Sequence, residues 1–551
     1  MIFLLAGHDH NNRHNKIASA KRTKVKEVFE EKNIVKTKSY SQKSKKKLRR
    51  KIMKMNKLVM FLLIIVLLLP NCLIGVAQEK VITFARPEDI QFMDPYDNIN
   101  ITNIIMDYLI YDRLVDYNPE TGVGFVPALA TEWSVSSDGT EYTFKLKQGV
   151  SFHNGEPFSA ECVKVSLERF INEKLRRGSD WETLKEVEII DDYTVIVKFS
   201  QPNVVCLTNL VRTPMLPAKA FQEKGAALFD NPIGTGAFTF TEWRRGQHII
   251  AEKYPDYWGE PAYIDKFIYL PINEDSTRLA GVLRGEIDIA DTMPPDQVPA
   301  AEADPNVEVI RMLAWDQIYL GLKADTSPFT DKKFRQAVTL SLDRENIVKF
   351  ILKGGRPSTG NIPMGVFGFD DSLAPVKRDI EKAKQLVEES IYDGREIRLI
   401  APTGWYPKTK DVTQAIQAGL IEIGVNVNLE ILDGATFAER RGAGNYDIYY
   451  TGASQPGDVD SFIWQRIYND AMASGYVNNE LNQLIEDQRQ EVDSEKRIEM
   501  LREIENIINT EVAPHVFVYQ MEHIYFQRKG IEGYRYYGNK CPDLRYVHYA
   551  N

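Results

Sequence analysis

Cysteine is scarce in this chain: four in 551 residues, at Cys72, Cys162, Cys206 and Cys541, with no CxxC spacing. Neither a disulfide framework nor a thiolate zinc site is implied. Histidine is thin as well, and His8, His10 and His14 of the eight fall in the first 14 residues. HExxH, the GxSxG elbow, the P-loop and a GxGxxG opening a helix after a strand are all absent, so no familiar catalytic signature is present. Asp458-Val459-Asp460 lacks the Gly and the closing Glu of a calcium loop and reads as a helix-capping acid. No catalytic residue, metal ligand or cofactor is therefore expected.

Long apolar runs are also lacking, with one exception at 58 to 69 (LVMFLLIIVLLL). Its length suits a signal peptide and falls short of the ~20 residues that cross a bilayer as a helix. Lys51, Lys54 and Lys57 supply the positive flank, and Gly75-Val76-Ala77 offers a small-x-small cleavage site that would leave Gln78 first; a retained anchor is the alternative. Acylation at Cys72 is disfavoured because Pro70-Asn71 precedes it. Residues 1 to 57 form a basic extension without apolar periodicity, either a disordered tail or a stretch upstream of the true start at Met53 or Met55.

The formal charge of −9 hides an asymmetry. Beyond residue 77 the chain holds 50 basic and 73 acidic side chains, which excludes nucleic acid as a partner of that part. No short-period repeat marks a solenoid. The length predicts two or more domains.

What is present is order. Glu141 to Phe170 (EYTFKLKQGVSFHNGEPFSAECVKVSLERF) joins a half-buried strand around Phe144 and Leu146 to a turn at His153-Asn154-Gly155. An amphipathic helix capped by Ser159 follows, with Val163, Leu167 and Phe170 on one stripe. Strands are predicted at Val81 to Ala85, Thr194 to Phe199, Ala237 to Glu242, Ile318 to Leu322 and Val425 to Leu432. Helices are predicted at 331–352, 379–389, 409–423, 478–490 and 494–510. The mixture implies an α/β protein.

Binding residues are sought among aromatics and arginines. Trp133, Trp243 and Trp258 read as core. Trp405-Tyr406 lies between Gly404 and Pro407 after an apolar strand, where a loop holds rings at a cleft, and Tyr450 joins them as a ligand candidate. Arg176, Arg177 and Arg212 are candidates because guanidinium grips carboxylates bidentately, against a solvated face as the plain alternative.

Taken in order, several segments resemble the family 5 extracellular solute-binding proteins, the receptors of ATP-driven importers for oligopeptides, dipeptides and nickel. They are YDRLV at 111, PALATEW at 127, the 141–170 stretch, PIGTGAFTF at 232, KYPDYWG at 253, TRLAGVLRGEIDIA at 277 and FRQAVTLSLDRENIV at 334. The resemblance implies a two-lobed periplasmic-binding-protein-like fold (type II, cluster C) with an extra subdomain in lobe I. Lobe I would be 78–272 with a C-terminal return at 520–551, and lobe II 273–519. It implies a monomeric extracytoplasmic receptor that encloses a short peptide or a nickel chelate and delivers it to membrane permease subunits of an ABC importer. An interaction protein or chaperone on the same scaffold is the alternative, and a hydrolase the remotest.

For a peptide, the amine-anchoring acid of the family would fall on Gln455, which is uncharged, with Asp458 or Asp460 as substitutes. For a nickel chelate, Arg176, Arg177, Trp181 and Arg212 fall near the family's arginine and tryptophan positions.

Overall fold

The computed structural model describes residues 79–96, 101–118, 124–455, 457–470, 474–533, 535–536, 538 and 542–550. The basic extension, the apolar run, the cleavage site, Cys72 and Cys541 lie outside them. No helix among the described residues is long and apolar enough to cross a membrane.

Eleven strands form one mixed sheet. Its backbone is a pair of long antiparallel strands, Val307–Leu322 and His515–Arg528. On one side, Ile448–Ser454 pairs with the first long strand and is followed by Ile397–Pro402 and Val427–Leu432 in parallel. On the other side, Ile289–Ala290, Val81–Arg86 and Lys266–Pro271 run parallel to one another, and His248–Lys253 and Phe238–Arg244 complete the edge. Of the parallel strands, Ile397–Pro402 is buried along nearly its whole length, as an inner strand covered on both faces requires.

The two halves of this sheet are the cores of two lobes, and the long strands pass through both. Their ladder breaks midway, where Val307–Leu313 pairs with Glu522–Arg528 and Gln317–Gly321 with His515–Gln520, with a shift of register between. Bulges of this kind bend strands. Ala85, Val282, Ile287, Ala290, Met293, Val298, Val307, Ile524 and Phe526 share one apolar cluster, so residues 275–313 pack on the sheet of the first lobe.

An additional four-stranded antiparallel sheet, ordered Ala130–Val135, Glu141–Leu146, Thr194–Phe199 and Leu184–Asp191, makes the inserted subdomain. Helix Ala160–Asn172 buries Val163, Leu167 and Phe170, the stripe read from sequence, and Cys162 beside them. Burial of such a side chain contributes about 1.5–3 kcal/mol. Ser159 occupies the N-cap in extended conformation, yet its side chain makes no capping bond; its hydroxyl lies 3.9 Å from the Cys162 sulfur instead.

The backbone packs closely at Gly234 and Gly236, within the PIGTGAFTF segment: a Cβ there would lie 2.0 and 2.4 Å from the Ile110 and Leu109 carbonyl oxygens. His153 seals the same place. Its Nε2 lies 2.9 Å from the Gly236 oxygen and its Nδ1 accepts from the Gly234 N–H, so it is a turn residue.

Candidate functional site

The interlobe face contains a cavity of about 270 Å³. Tyr117, Phe125, Val204 and Thr208 line it from the first lobe, and Phe367, Glu491 and Arg497 from the second.

Three local arrangements position these walls. The Gln520 amide bridges the broken ladder, donating to the Ala314 and Met364 oxygens at 2.8 and 3.0 Å while its oxygen accepts from Met364 N–H. This anchors the segment leading to Phe367, whose N–H donates to the Gly457 oxygen. Trp315, at the break, meets Tyr117 edge-on at 5.5 Å, and its backbone N–H donates to the Gly538 oxygen. Helix Ser494–Glu511 is capped by Asp493, which accepts from Glu495 and Lys496 N–H, and the helix sets Arg497 at the cavity floor.

The sequence candidates separate into groups. Asp458 is buried and accepts both guanidinium nitrogens of Arg497 at 2.7 and 2.8 Å, so its charge is answered inside the protein. Burial opposes the charge of Arg497, but Asp458 holds its pKa above the usual arginine value. Asp460 is likewise enclosed, bonded to Gln488 and Arg489, and burial lifts its pKa. Gln455 is fully buried; its amide donates to the Asn361 oxygen at 2.6 Å, and its own oxygen has no partner among the described residues. Tyr450 is fully buried with its hydroxyl 2.9 Å from that of Tyr519, a packing role in the second lobe rather than a place at the cavity.

Arg177 and Arg212 do come together, on Asp180, at 3.4 and 3.6 Å. Arg177 is buried and also donates to the Arg212 carbonyl; burial and the neighbouring Arg212 charge bring its pKa down to about 10. Trp181 is sandwiched between Phe170 and Phe199 in the subdomain core. Arg176 is exposed and faces the Phe92 ring at 5.5 Å.

Trp405 is 45% exposed and meets Phe437 edge-on, while the Tyr406 hydroxyl accepts from Gly452 N–H at 2.8 Å and buttresses that strand. Their loop is tied to the first-lobe segment 295–297 by an ion pair from Lys408 to Asp296. Arg489 makes a second crossing: it lies 3.9 Å over the Trp464 ring and reaches Glu182 of the subdomain at 3.3 Å.

Comparison with known proteins fits this architecture. The profile of the bacterial extracellular solute-binding proteins, family 5, middle part, matches residues 124–474. The chain belongs to this family. Among its family 5 relatives is the probable D,D-dipeptide-binding periplasmic protein of Escherichia coli K12, 27% identical over 476 residues, covering 83% of this chain and 91% of the relative. A glutathione-binding protein of Salmonella typhimurium is 28% identical over 395 residues, covering 69% of this chain and 76% of its own.

Among solved structures, the periplasmic binding protein of A. tumefaciens R10 in complex with agropinic acid superposes with a TM-score of 0.73 at 25% identity, over 86% of this chain and 99% of that one. The oligopeptide-binding protein of Bacillus subtilis in complex with a nonapeptide gives 0.72 at 23% identity, over 86% and 100%, and shows the same fold. Family 5 members are two-lobed solute-binding proteins, and this chain has their two lobes and inserted subdomain.

Phe367, Glu491 and Arg497 at the cavity, and Gln520 behind its wall, were missed from sequence. None sits in a recognisable motif, and Phe367 reaches the cavity from a part of the second lobe far in sequence from Glu491 and Arg497.

Proposed function

We propose that this family 5 protein is the extracytoplasmic receptor of an ABC-type importer and that it captures a short peptide or a peptide-sized amino-acid derivative. The observation that carries the ligand class is the interlobe cavity of about 270 Å³. It is near the lower end of ligand pockets (about 300–1,000 Å³), and aromatic walls with a few polar groups suit a small amphipathic solute. Closure around such a ligand excludes water and strengthens its polar contacts. The reading includes no bond-breaking step, a monomer, delivery to membrane permease subunits, and export by the signal peptide ending at Ala77. Trp405, half exposed beside the Lys408–Asp296 crossing, is proposed as a stacking surface for part of the ligand. We also propose that the change of lobe lies at the ladder break, residues 314–316; the break in register of the two long strands supports this reading.

A nickel chelate is the second reading, favoured by the convergence of Arg177 and Arg212. Both converge on Asp180, a carboxylate of the protein itself, and a chelate would have to displace it. Native mass spectrometry of the protein with a di- and tripeptide mixture, and with nickel plus histidine, tests the two. Retention of peptide and not of nickel-histidine is expected; the reverse result overturns the peptide reading.

A further inference from the structure

The cavity has three charged groups on its walls, Asp458, Glu491 and Arg497. Asp458 and Arg497 cancel in their two-pronged pair, at 2.7 and 2.8 Å. Glu491 has no cationic partner among the described residues; one of its oxygens, Oε1, accepts the N–H of Asp493 at 2.8 Å. The neighbouring Asp493 is occupied as the helix cap. A pocket with aromatic walls and one uncompensated carboxylate selects a cation.

Resting on the proposal that the ligand is a short peptide, we infer that Glu491 is the specificity-determining acid that receives the ligand's α-ammonium group. The position where the family resemblance puts such an acid carries Gln455, whose amide is buried and turned to Asn361. Glu491 replaces it from a different element, the turn that enters helix Ser494–Glu511. A carboxylate here is charge-assisted acceptor and counter-ion together, so a free amine is preferred over an acylated one.

The test uses Ala-X dipeptides with free and with N-acetylated amino termini, bound to the wild-type protein and to Glu491→Gln. Glutamine keeps an oxygen for the Asp493 N–H, so the turn survives while the charge is lost. The expected result is retention of free-amine peptides about ten-fold or more over acetylated ones by the wild type, equivalent to about 1.4 kcal/mol, and a ratio near one in Glu491→Gln. Equal retention of both forms by the wild type, or a ratio that survives Glu491→Gln, overturns the assignment. Loss of the ratio in Gln455→Ala but not in Glu491→Gln also overturns it. Retention of no peptide of either form by the wild type is a different failure, that of the peptide-receptor reading itself.

Discussion

Truncating Asp458 to alanine leaves the Arg497 guanidinium, 6% exposed, without its counter-ion. Two charge-assisted hydrogen bonds are lost, each of the order of 1.5–3 kcal/mol. Breaking one side of a buried pair costs about 3–5 kcal/mol, since the surviving charge stays desolvated. Arg497 keeps two acceptors on Gln488, at 3.2 and 3.0 Å, and lies 4.9 Å over the Phe367 ring, which places the expected loss at the lower end, about 3 kcal/mol. Urea unfolding followed by tryptophan fluorescence and circular dichroism measures it. The double variant Asp458→Ala/Arg497→Met is expected to be more stable than Asp458→Ala alone, because no unpaired charge remains. A stability loss under about 1 kcal/mol together with abolished peptide binding would refute this reasoning and make Asp458 a ligand contact.

Three other outcomes follow from named groups. Burial raises the Glu505 carboxyl from 4.5 to about 7, so the folded protein holds its proton where the unfolded chain has released it. The resulting stability, roughly 3 kcal/mol, is present below about pH 4.5 and lost as pH rises through about 7. The partly buried His153 and the buried His515, lowered by desolvation to about 4 and about 3, tilt stability the opposite way, so the measured quantity is the difference between wild type and Glu505→Gln at pH 5 and pH 8. A difference that does not change with pH would contradict it. Gly321→Ala sets a Cβ 2.0 Å from the Tyr449 ring and is expected to destabilise by about 1–3 kcal/mol in urea melts. Arg212→Ala is expected to leave peptide affinity within about two-fold, because its partner is Asp180; a larger loss by calorimetry would put Arg212 at the ligand.

Periodicity located most of the elements. Thr194–Phe199 agrees at both ends, and the expected helices 409–423 and 494–510 appear as Thr409–Glu422 and Ser494–Glu511. Those segments have local apolar periodicity, and Ser494–Glu511 has in addition the Asp493 cap. The expected helix 331–352 is three pieces, because Leu342 leaves the helical region and Asp343 caps a new start by accepting from Asn346 N–H. The strand expected at 318–322 is only the end of Val307–Leu322, whose first half crosses into the other lobe. The cavity was the least legible part. An arginine looks the same in sequence whether it waits for a ligand or, like Arg177, is answered by a carboxylate three residues on. Glu491 and Phe367 become neighbours of Tyr117 only through tertiary packing.

Strand His515–Arg528 lies in the middle of the sheet, and Tyr549 donates to the Val81 carbonyl across 468 residues. During synthesis the N-terminal lobe is therefore missing an inner strand until nearly the whole chain has been made. Such distant pairing slows folding, and the usual N-to-C order of domain completion does not apply to this lobe. A chain truncated before residue 515 would expose the edge of Val307–Leu322 and recruit chaperones, while one released after residue 550 would not.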